Sequence, residues 1–228
     1  MRLTVIIPVY NEEATITGVI DQVRGCGLPD LQIIVVNDCS QDGTRARLEA
    51  LPPASDLLIV HHEQNRGKGA AIRTGQALVA GDVVVVQDAD LEYSPSEFPR
   101  MLQFIENGKA DAVYGSRYSG STTLVDSFWH FYGNKLITGF FNLVANLHLT
   151  DMETCYKMVR ADIFKSLQLT SDRFGFEPEI SAKLAKLRCR IYEVPIEYRP
   201  RRSSQGKKIG WKDGVAAFWH IIKFNLLS

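Results

Sequence analysis

The stretch from Val83 to Pro95 reads VVVVQDADLEYSP and contains both a strand signal and a site signal. Its four consecutive valines are typical of a strand that is buried on both faces of a parallel sheet. The chain then becomes acidic, with Asp88, Asp90 and Glu92 at alternate positions. On an extended backbone the three carboxylates would lie on one side, where they could share a hard divalent cation. The competing interpretation is a solvated acidic loop that caps the next helix.

The composition is that of an ordinary globular protein. Of the 228 residues, 45% are hydrophobic and 23% are charged, which argues against disorder. The formal net charge is zero, so no overall field would attract nucleic acid, and we expect no nucleic-acid partner. The four cysteines form no C-x-x-C pair, which favours reduced thiols over disulfides or a zinc site. The sequence shows neither a signal peptide nor an apolar run of spanning length, so we expect a cytoplasmic protein.

Strand and helix signals alternate along the chain. Strands are expected at 3–9, 31–36, 57–61, 83–86, 112–114, 155–159 and 189–198, with helices between them, including 70–80, 95–107, 127–147 and 177–187. We expect Asn11 to cap the first helix and Ser94 to begin a capping box with Pro95 at the first helical position. This alternation predicts an α/β fold, a mainly parallel, doubly wound sheet flanked by helices in a single domain.

Three of the predicted strand ends carry polar side chains to one edge of the sheet. The acidic trio follows the fourth strand, and Asp38 follows the second. The residues around the end of the first strand are Pro8, Tyr10, Asn11 and Glu12. Ligands of open α/β sheets bind beyond the carboxyl ends of the strands, so these groups are candidates for one site. Asp38 could accept N–H groups from a nucleobase, with an Asx turn or a helix cap as the alternative.

The segment 65–69, Asn-Arg-Gly-Lys-Gly, resembles a phosphate-binding loop. Its glycines would let the backbone approach a phosphate closely, and Lys68 would add charge. No Ser or Thr follows the lysine, which argues against a P-loop ATPase.

Together these motifs resemble family 2 glycosyltransferases of the GT-A (Rossmann-like) fold, in the branch of dolichyl-phosphate mannose synthase and other polyprenyl-phosphate glycosyltransferases. The motifs are PVYNE at 8–12, NDCSQDGT at 37–44, NRGKG at 65–69, DADLEYSP at 88–95, GSR at 115–117, DMETCYK at 151–157, FGFEPEI at 174–180 and RRSSQGKKIGW at 201–211. The resemblance covers the whole chain. It implies a nucleotide-sugar-binding half at 1–120 and an acceptor-binding half at 121–228, the latter with a basic loop at 199–212 and an amphipathic helix at 213–228.

The resemblance also implies an activity. A hexose, mannose or glucose, would move with inversion from GDP-mannose or UDP-glucose to a polyprenyl phosphate. Mg²⁺ or Mn²⁺ would be held by Asp88, Asp90 and Glu92, and the catalytic residues would be Asp90 and Arg117. The residues implied to bind the nucleotide sugar are Pro8, Tyr10, Asn11, Glu12, Asp38, Lys68, Gly69, Asp88, Ala89, Asp90 and Glu177. Those implied to bind the acceptor phosphate are Arg117, Arg202 and Lys208.

Some alternatives remain open from the sequence. Glu177 lies at a predicted helix start, where stabilisation of the helix dipole would also explain it. Asn37 stands where many relatives have a second Asp, and the further Arg of the family is not evident shortly after Arg117. The acceptor could instead be a soluble glycan or a protein, or the chain could be a non-catalytic module that binds nucleotide sugars.

Two aromatic segments predict transient contact with a membrane surface, with packing in the core as the alternative. They are the helix that contains 128–141 and the terminal helix with Trp219 and Phe224. The protein would then be peripheral on the inner face of the membrane, and a membrane partner subunit is a further expectation.

Overall fold

The computed structural model describes residues 1–120, 127–173, 175–200 and 211–227. Within them the chain forms a seven-stranded sheet. Its strands are β1 (Leu3–Val9), β2 (Leu31–Asn37), β3 (Leu57–His61), β4 (Val83–Val86), β5 (Ala112–Ser116), β6 (Lys157–Arg160) and β7 (Ile191–Pro195). Their spatial order is β3, β2, β1, β4, β6, β5, β7.

The sheet is mainly parallel, as the alternation of strands and helices predicted. Strand β1 pairs in parallel with both β2 and β4, and β5 pairs in parallel with β7. Strand β6 is the exception, since it runs antiparallel to both β4 and β5. The four valines of β4 are buried between β1 and β6, which explains why that strand has no polar position.

Helices cover the sheet. They are α1 (Ile16–Arg24), α2 (Thr44–Glu49), α3 (Lys68–Gln76), α4 (Phe98–Glu106), α5 (Phe128–Ala145), α6 (Ala161–Ser166), α7 (Phe176–Lys186) and α8 (Trp211–Ile222). A 3₁₀ turn, Pro95–Glu97, precedes α4, and a π-helical segment, Lys223–Leu227, follows α8. The short helix α6 was not predicted, and the basic residues 201–210 lie outside the described residues.

Two capping predictions were wrong. Thr15, not Asn11, is the N-cap of α1, because Asn11 adopts a left-handed φ of 54° in the loop before it. Ser94 makes no capping hydrogen bond, and its hydroxyl bonds to Ser96 instead, at 2.8 Å. Pro95 does occupy the first position of the 3₁₀ turn, as predicted. Asn11 therefore lies in a loop, and not at a helix end, at the sheet edge where polar groups were expected.

The core lies between the sheet and its helices. The predicted apolar face of α1, at positions 16, 19, 20 and 23, is buried. Helix α3 packs so closely on β1 that a Cβ atom at Gly75 would come within 2.6 Å of the Ile6 side chain. Among the described residues, no helix is both long enough and apolar enough to cross a bilayer.

Candidate active site

The acidic segment after β4 forms a loop and not an extended strand. Strand β4 ends at Val86, and Leu91 has a left-handed φ of 62°. Each carboxylate consequently has a different partner. Asp88 pairs with Lys68 at 2.8 Å, Asp90 accepts the Glu92 N–H at 3.1 Å, and Glu92 accepts the Tyr198 hydroxyl at 2.6 Å. The prediction that alternation on an extended backbone aligns the three carboxylates was therefore wrong.

The chemistry of this loop nevertheless fits a divalent cation. Within the described ranges, no three His, Cys, Asp or Glu side chains are grouped closely enough to hold a metal by themselves. Ions of the magnesium type need only a few carboxylates, because phosphate oxygens of the substrate and water complete their coordination. Asp88, Asp90 and Glu92 are partly exposed, and all three offer hard oxygen ligands. They are the residues of this chain that would hold such an ion together with a diphosphate.

Lys68 brings two of the predicted site residues together. Its ammonium group lies 2.8 Å from Asp88 and 2.8 Å from Glu177, and the side chains of Lys68 and Glu177 are largely buried. Burial lowers the pKa of Lys68, but the two carboxylates raise it by more, so its pKa lies well above the ordinary value. Burial raises the pKa of Glu177, but Lys68 and Lys157 lower it by more. Glu177 thus pairs with a cation of the site, although it also lies in the first turn of α7.

Asp38 is buried beneath the segment that precedes α3. Its Oδ1 accepts the Arg66 N–H at 2.9 Å and lies 2.7 Å from His62 Nδ1, and its Oδ2 accepts the Gly67 N–H at 2.7 Å. The carboxylate therefore fixes the backbone of the 65–69 segment. Its contact with a nucleobase stays a prediction.

The glycines at 67 and 69 allow close packing of protein against protein. Gly67 has a φ of 94°, and a Cβ atom there would collide with the carbonyl oxygen of Asp172. A Cβ atom at Gly69 would likewise collide with the carbonyl oxygen of Ser171. The Ala70 N–H donates to Asp172 at 3.2 Å. Since the N–H groups at 66, 67 and 70 already have acceptors in the protein, the phosphate-cradle interpretation does not hold for them.

The loop after β1 is tied to both neighbouring loops. Pro8 lies buried within β1, and the next residues, 10–12, are partly exposed. The Asn11 side chain accepts the Gln41 N–H at 2.8 Å. The Thr15 hydroxyl donates to the carbonyl oxygen of Ala89 at 2.7 Å. The structure thus brings the first, second and fourth strand ends to one edge, as the sequence predicted.

Arg117 is held by a residue that the sequence reasoning did not single out. Its Nε and Nη2 donate to the two carboxylate oxygens of Asp151, at 2.7 and 2.8 Å, and the Asp151 side chain is fully buried. Burial lowers the pKa of Arg117, but Asp151 raises it by more, so the guanidinium stays protonated. The signal that could have identified Asp151 is its position at the start of the DMETCYK motif.

Tyr198 joins this ion pair to the acidic loop. The Arg117 guanidinium lies 5.2 Å from the centre of the Tyr198 ring and 5.5 Å from that of Tyr118. The hydroxyl of the same Tyr198 donates to Glu92. The Tyr198 side chain therefore lies between Arg117 and the acidic loop and contacts both.

Glu153 is a second residue that sequence reasoning missed. Its Oε1 atom is buried and has no hydrogen-bond partner among the described residues. Burial, and then the nearby Glu177, raise the pKa of Glu153 to about 7. Glu153 therefore places a carboxyl group with a pKa near neutrality close to Glu177 and Arg117. Arg202 and Lys208, the other residues implied to bind the acceptor, lie outside the described residues.

A mainly parallel α/β sheet with charged groups at its strand ends is the architecture that the resemblance of the motifs implied, the GT-A fold. Residues 4–168 match the model of glycosyl transferase family 2. The chain belongs to that family.

Curated relatives extend over nearly the whole chain. It is 32% identical to the undecaprenyl-phosphate mannosyltransferase of Micrococcus luteus, with 99% of each chain covered. It is 27% identical to the dolichol-phosphate mannosyltransferase of Pyrococcus furiosus, over 92% of this chain and 60% of that protein. It is 28% identical to the polyprenol monophosphomannose synthase of Mycolicibacterium smegmatis, over 92% of this chain and 82% of that protein.

Solved structures share the fold. The glucosyl-3-phosphoglycerate synthase of Mycobacterium tuberculosis, in complex with UDP, has a TM-score of 0.75 and 20% identity, over 97% of this chain and 79% of that one. A complex of the same enzyme with Mn²⁺, UDP and glucosyl-3-phosphoglycerate has a TM-score of 0.72 and 22% identity, over 98% and 78% of the two chains. At these identities the similarity concerns the GT-A fold itself.

Proposed function

We propose that the protein transfers a hexose, mannose or glucose, from a GDP- or UDP-sugar to a polyprenyl phosphate with inversion at the sugar carbon. The observation that carries the proposal is the placement of Tyr198 between the acidic loop and Arg117. On one side of this tyrosine lie carboxylates for a cation that would bind a diphosphate, and on the other lies a guanidinium for a second phosphate. The names of the curated mannosyltransferases support a polyprenyl phosphate as the acceptor.

The proposed reaction needs no strong general base. An oxygen of the acceptor phosphate forms a bond to the anomeric carbon while the bond from that carbon to the donor diphosphate breaks on the opposite face. The electron pair of the broken bond leaves with the nucleoside diphosphate. Since the second pKa of a phosphate monoester is ~6, the acceptor is largely a dianion at neutral pH and attacks without prior loss of a proton.

The protein then has to place charge at both ends of this reaction. A divalent ion, when bound, neutralises the leaving diphosphate. Asp88, Asp90 and Glu92 are the residues proposed to hold it, and Lys68 adds an ammonium group beside Asp88. Arg117 is proposed to hold the acceptor phosphate. Its pairing with Asp151 uses the Nε and Nη2 donors, and the Nη1 donors face a different direction.

We further propose that α5 touches the membrane in which a polyprenyl phosphate resides. An aromatic patch, made of Phe128, Trp129 and Tyr132 in the first turns of α5, is exposed. The next turn of the same helix contacts the acceptor side, because Asn134 donates to Asp151 at 3.3 Å. An aromatic surface this close to the phosphate-binding arginine suits transient contact with a bilayer. Such contact would make the enzyme peripheral, and a membrane partner subunit remains part of the proposal.

The test is a transfer assay with radiolabelled sugar. GDP-mannose and UDP-glucose are each incubated with undecaprenyl or dolichyl phosphate and Mn²⁺ or Mg²⁺, and the label is partitioned between water and organic solvent. We expect label in the organic phase with one donor, lost on addition of EDTA. Label that remains aqueous with every polyprenyl phosphate would point to a soluble acceptor. The absence of any turnover, with binding of a nucleotide sugar, would point to a non-catalytic module.

A further inference from the structure

We infer that Tyr198 is a positioning residue that sets the metal-binding loop and the phosphate-binding arginine in register. It does so with two different parts of its side chain, the hydroxyl for Glu92 and the ring for Arg117. The inference rests on the function proposed above, in which Glu92 binds the cation and Arg117 binds the acceptor. Tyr198 itself contacts neither ligand in this account and acts through those two residues.

The hydroxyl contact fixes the Glu92 carboxylate. The distance from the Tyr198 hydroxyl to Glu92 Oε2 is 2.6 Å, typical of a short hydrogen bond from a hydroxyl to an ionised acceptor. Hydrogen bonds to ligating carboxylates orient them toward the metal, and their loss typically weakens metal binding.

The backbone around Tyr198 joins the same two segments. Tyr198 and Tyr93 form an isolated antiparallel bridge, and the Arg199 N–H donates to the carbonyl oxygen of Glu92 at 2.9 Å. The Tyr93 ring also packs on the Tyr198 ring, with centres 5.2 Å apart. These contacts tie the backbone at Tyr198 to the backbone of the acidic loop.

The ring contact supports Arg117. The guanidinium lies 5.2 Å from the centre of the Tyr198 ring, within the range of a cation–π interaction. Asp151 holds the guanidinium by its Nε and Nη2 edge, and the aromatic face restricts the direction of the remaining donors. Removal of the ring should therefore disturb Arg117, whereas removal of the hydroxyl alone should not.

Two substitutions separate the contacts. Tyr198→Phe removes the hydrogen bond to Glu92 and keeps the ring, and Tyr198→Leu removes both. Binding of Mn²⁺ in the presence of GDP or UDP is followed by electron paramagnetic resonance, which reports free manganese without turnover. The KM for polyprenyl phosphate is measured separately at saturating Mn²⁺.

We expect Tyr198→Phe to raise the dissociation constant for Mn²⁺ about tenfold, the loss of one hydrogen bond to a charged group, and to leave the acceptor KM unchanged. We expect Tyr198→Leu to raise both. Tyr192→Phe is the control, because this tyrosine is exposed on β7 and packs against Phe104, away from both segments. It should alter neither quantity.

The outcomes are distinct. Tyr198→Phe protein that binds Mn²⁺ as tightly as the wild type would overturn the inference, whatever Tyr198→Leu does. An equal rise of the acceptor KM in both variants would overturn the separation of hydroxyl and ring. If the wild type binds no Mn²⁺ with any nucleotide, the proposed function loses its metal and the inference falls with it.

Discussion

Two ion-paired clusters lie near the strand ends, and their balance of charge differs. In the cluster proposed to bind the donor, two carboxylates, Asp88 and Glu177, share the ammonium group of Lys68. In the cluster proposed to bind the acceptor, one carboxylate, Asp151, meets one guanidinium, Arg117, and the Lys135 ammonium lies 5.4 Å from the nearby Tyr118 ring. Among these groups the first cluster, called the donor side below, is richer in carboxylates, and the second, the acceptor side, is richer in cations.

This difference supports the ligand proposed for each side. Carboxylate oxygens are ligands that a divalent ion of the magnesium type prefers, so the donor side suits an ion that accompanies a diphosphate. A guanidinium whose charge is balanced by one edge contact can still donate to a phosphate from its other edge.

Asp90→Asn tests whether the negative charge of the donor side carries catalysis. The change keeps the size of the side chain and removes one charge from the loop proposed to hold the ion. We expect kcat to fall about a thousandfold, the loss of a preorganised electrostatic contact at the leaving group. Steady-state transfer at saturating Mn²⁺ measures it.

Asp162→Asn is the matched control. Asp162 lies in α6, pairs with Arg160 on the surface and is 63% exposed. It should leave kcat unchanged. A kcat for Asp90→Asn within a factor of about three of the wild type would remove this carboxylate from the mechanism.

Asp151→Asn tests the acceptor side, where the first effect should be on folding. The substitution leaves the buried Arg117 without a counter-charge, and removal of one partner of a buried pair costs about 3 kcal/mol of the free energy of unfolding. Urea unfolding followed by circular dichroism measures it. Glu49→Gln, which breaks the exposed pair with Arg45, should cost much less. Equal losses of the free energy of unfolding in the two variants would mean that the buried Arg117–Asp151 pair stabilises the protein no more than an exposed pair does.

The sequence predicted the donor side better than the acceptor side for a physical reason. Donor-side residues follow strands whose valine and isoleucine runs are unmistakable, and parallel strands bring their ends to one edge. Asp38 and Asp88 could therefore be placed at one edge before the contacts were known, whereas Glu177 was assigned only through the family resemblance. The partner of each carboxylate could not be predicted, because Leu91 adopts a left-handed conformation that turns the backbone. The hydrophobic pattern of a sequence does not reveal such a conformation at a residue other than glycine.

The acceptor side depends on contacts between distant segments. Asp151 and Glu153 precede β6, the strand that runs against the others, and the sequence reasoning extended that strand from 155 to 159 instead of 157 to 160. Nothing in the local pattern states that Arg117 bonds to a residue 34 positions later. Such pairings follow from the sheet order, which hydrophobic periodicity does not encode.

Glu153→Gln tests whether the Glu153 carboxyl group titrates near neutrality. An unfolded glutamate ionises near 4.5, whereas burial keeps Glu153 protonated until about pH 7. Between these values the folded protein binds more protons than the unfolded one, so this group lowers stability progressively as pH rises, and the cost is complete above pH 7. We expect Glu153→Gln to match the wild type near pH 4.5 and to exceed it by about 3 kcal/mol at pH 8.

Unfolding in urea across this pH range measures the difference. Glu63→Gln, at an exposed loop position, is the control and should give a flat difference. A difference in the free energy of unfolding that stays constant from pH 4.5 to 8 would contradict the prediction. It would show that Glu153 has the same pKa in the folded and unfolded protein and is therefore ionised at neutral pH.

Trp129→Ser tests whether the acceptor side faces a bilayer. Trp129 is 80% exposed, so its removal should leave the free energy of unfolding nearly unchanged. Insertion of its apolar surface at the membrane interface is worth about 1 kcal/mol, which predicts about fivefold weaker binding to vesicles of phosphatidylcholine and phosphatidylglycerol. Cosedimentation with vesicles measures it, and Leu187→Ser, at an exposed position after α7, is the control. The two variants would lose equal affinity if any exposed apolar side chain sufficed. A loss confined to Trp129 would mean that the membrane lies beside α5, because the helix that presents this ring also donates through Asn134 to the aspartate that holds Arg117.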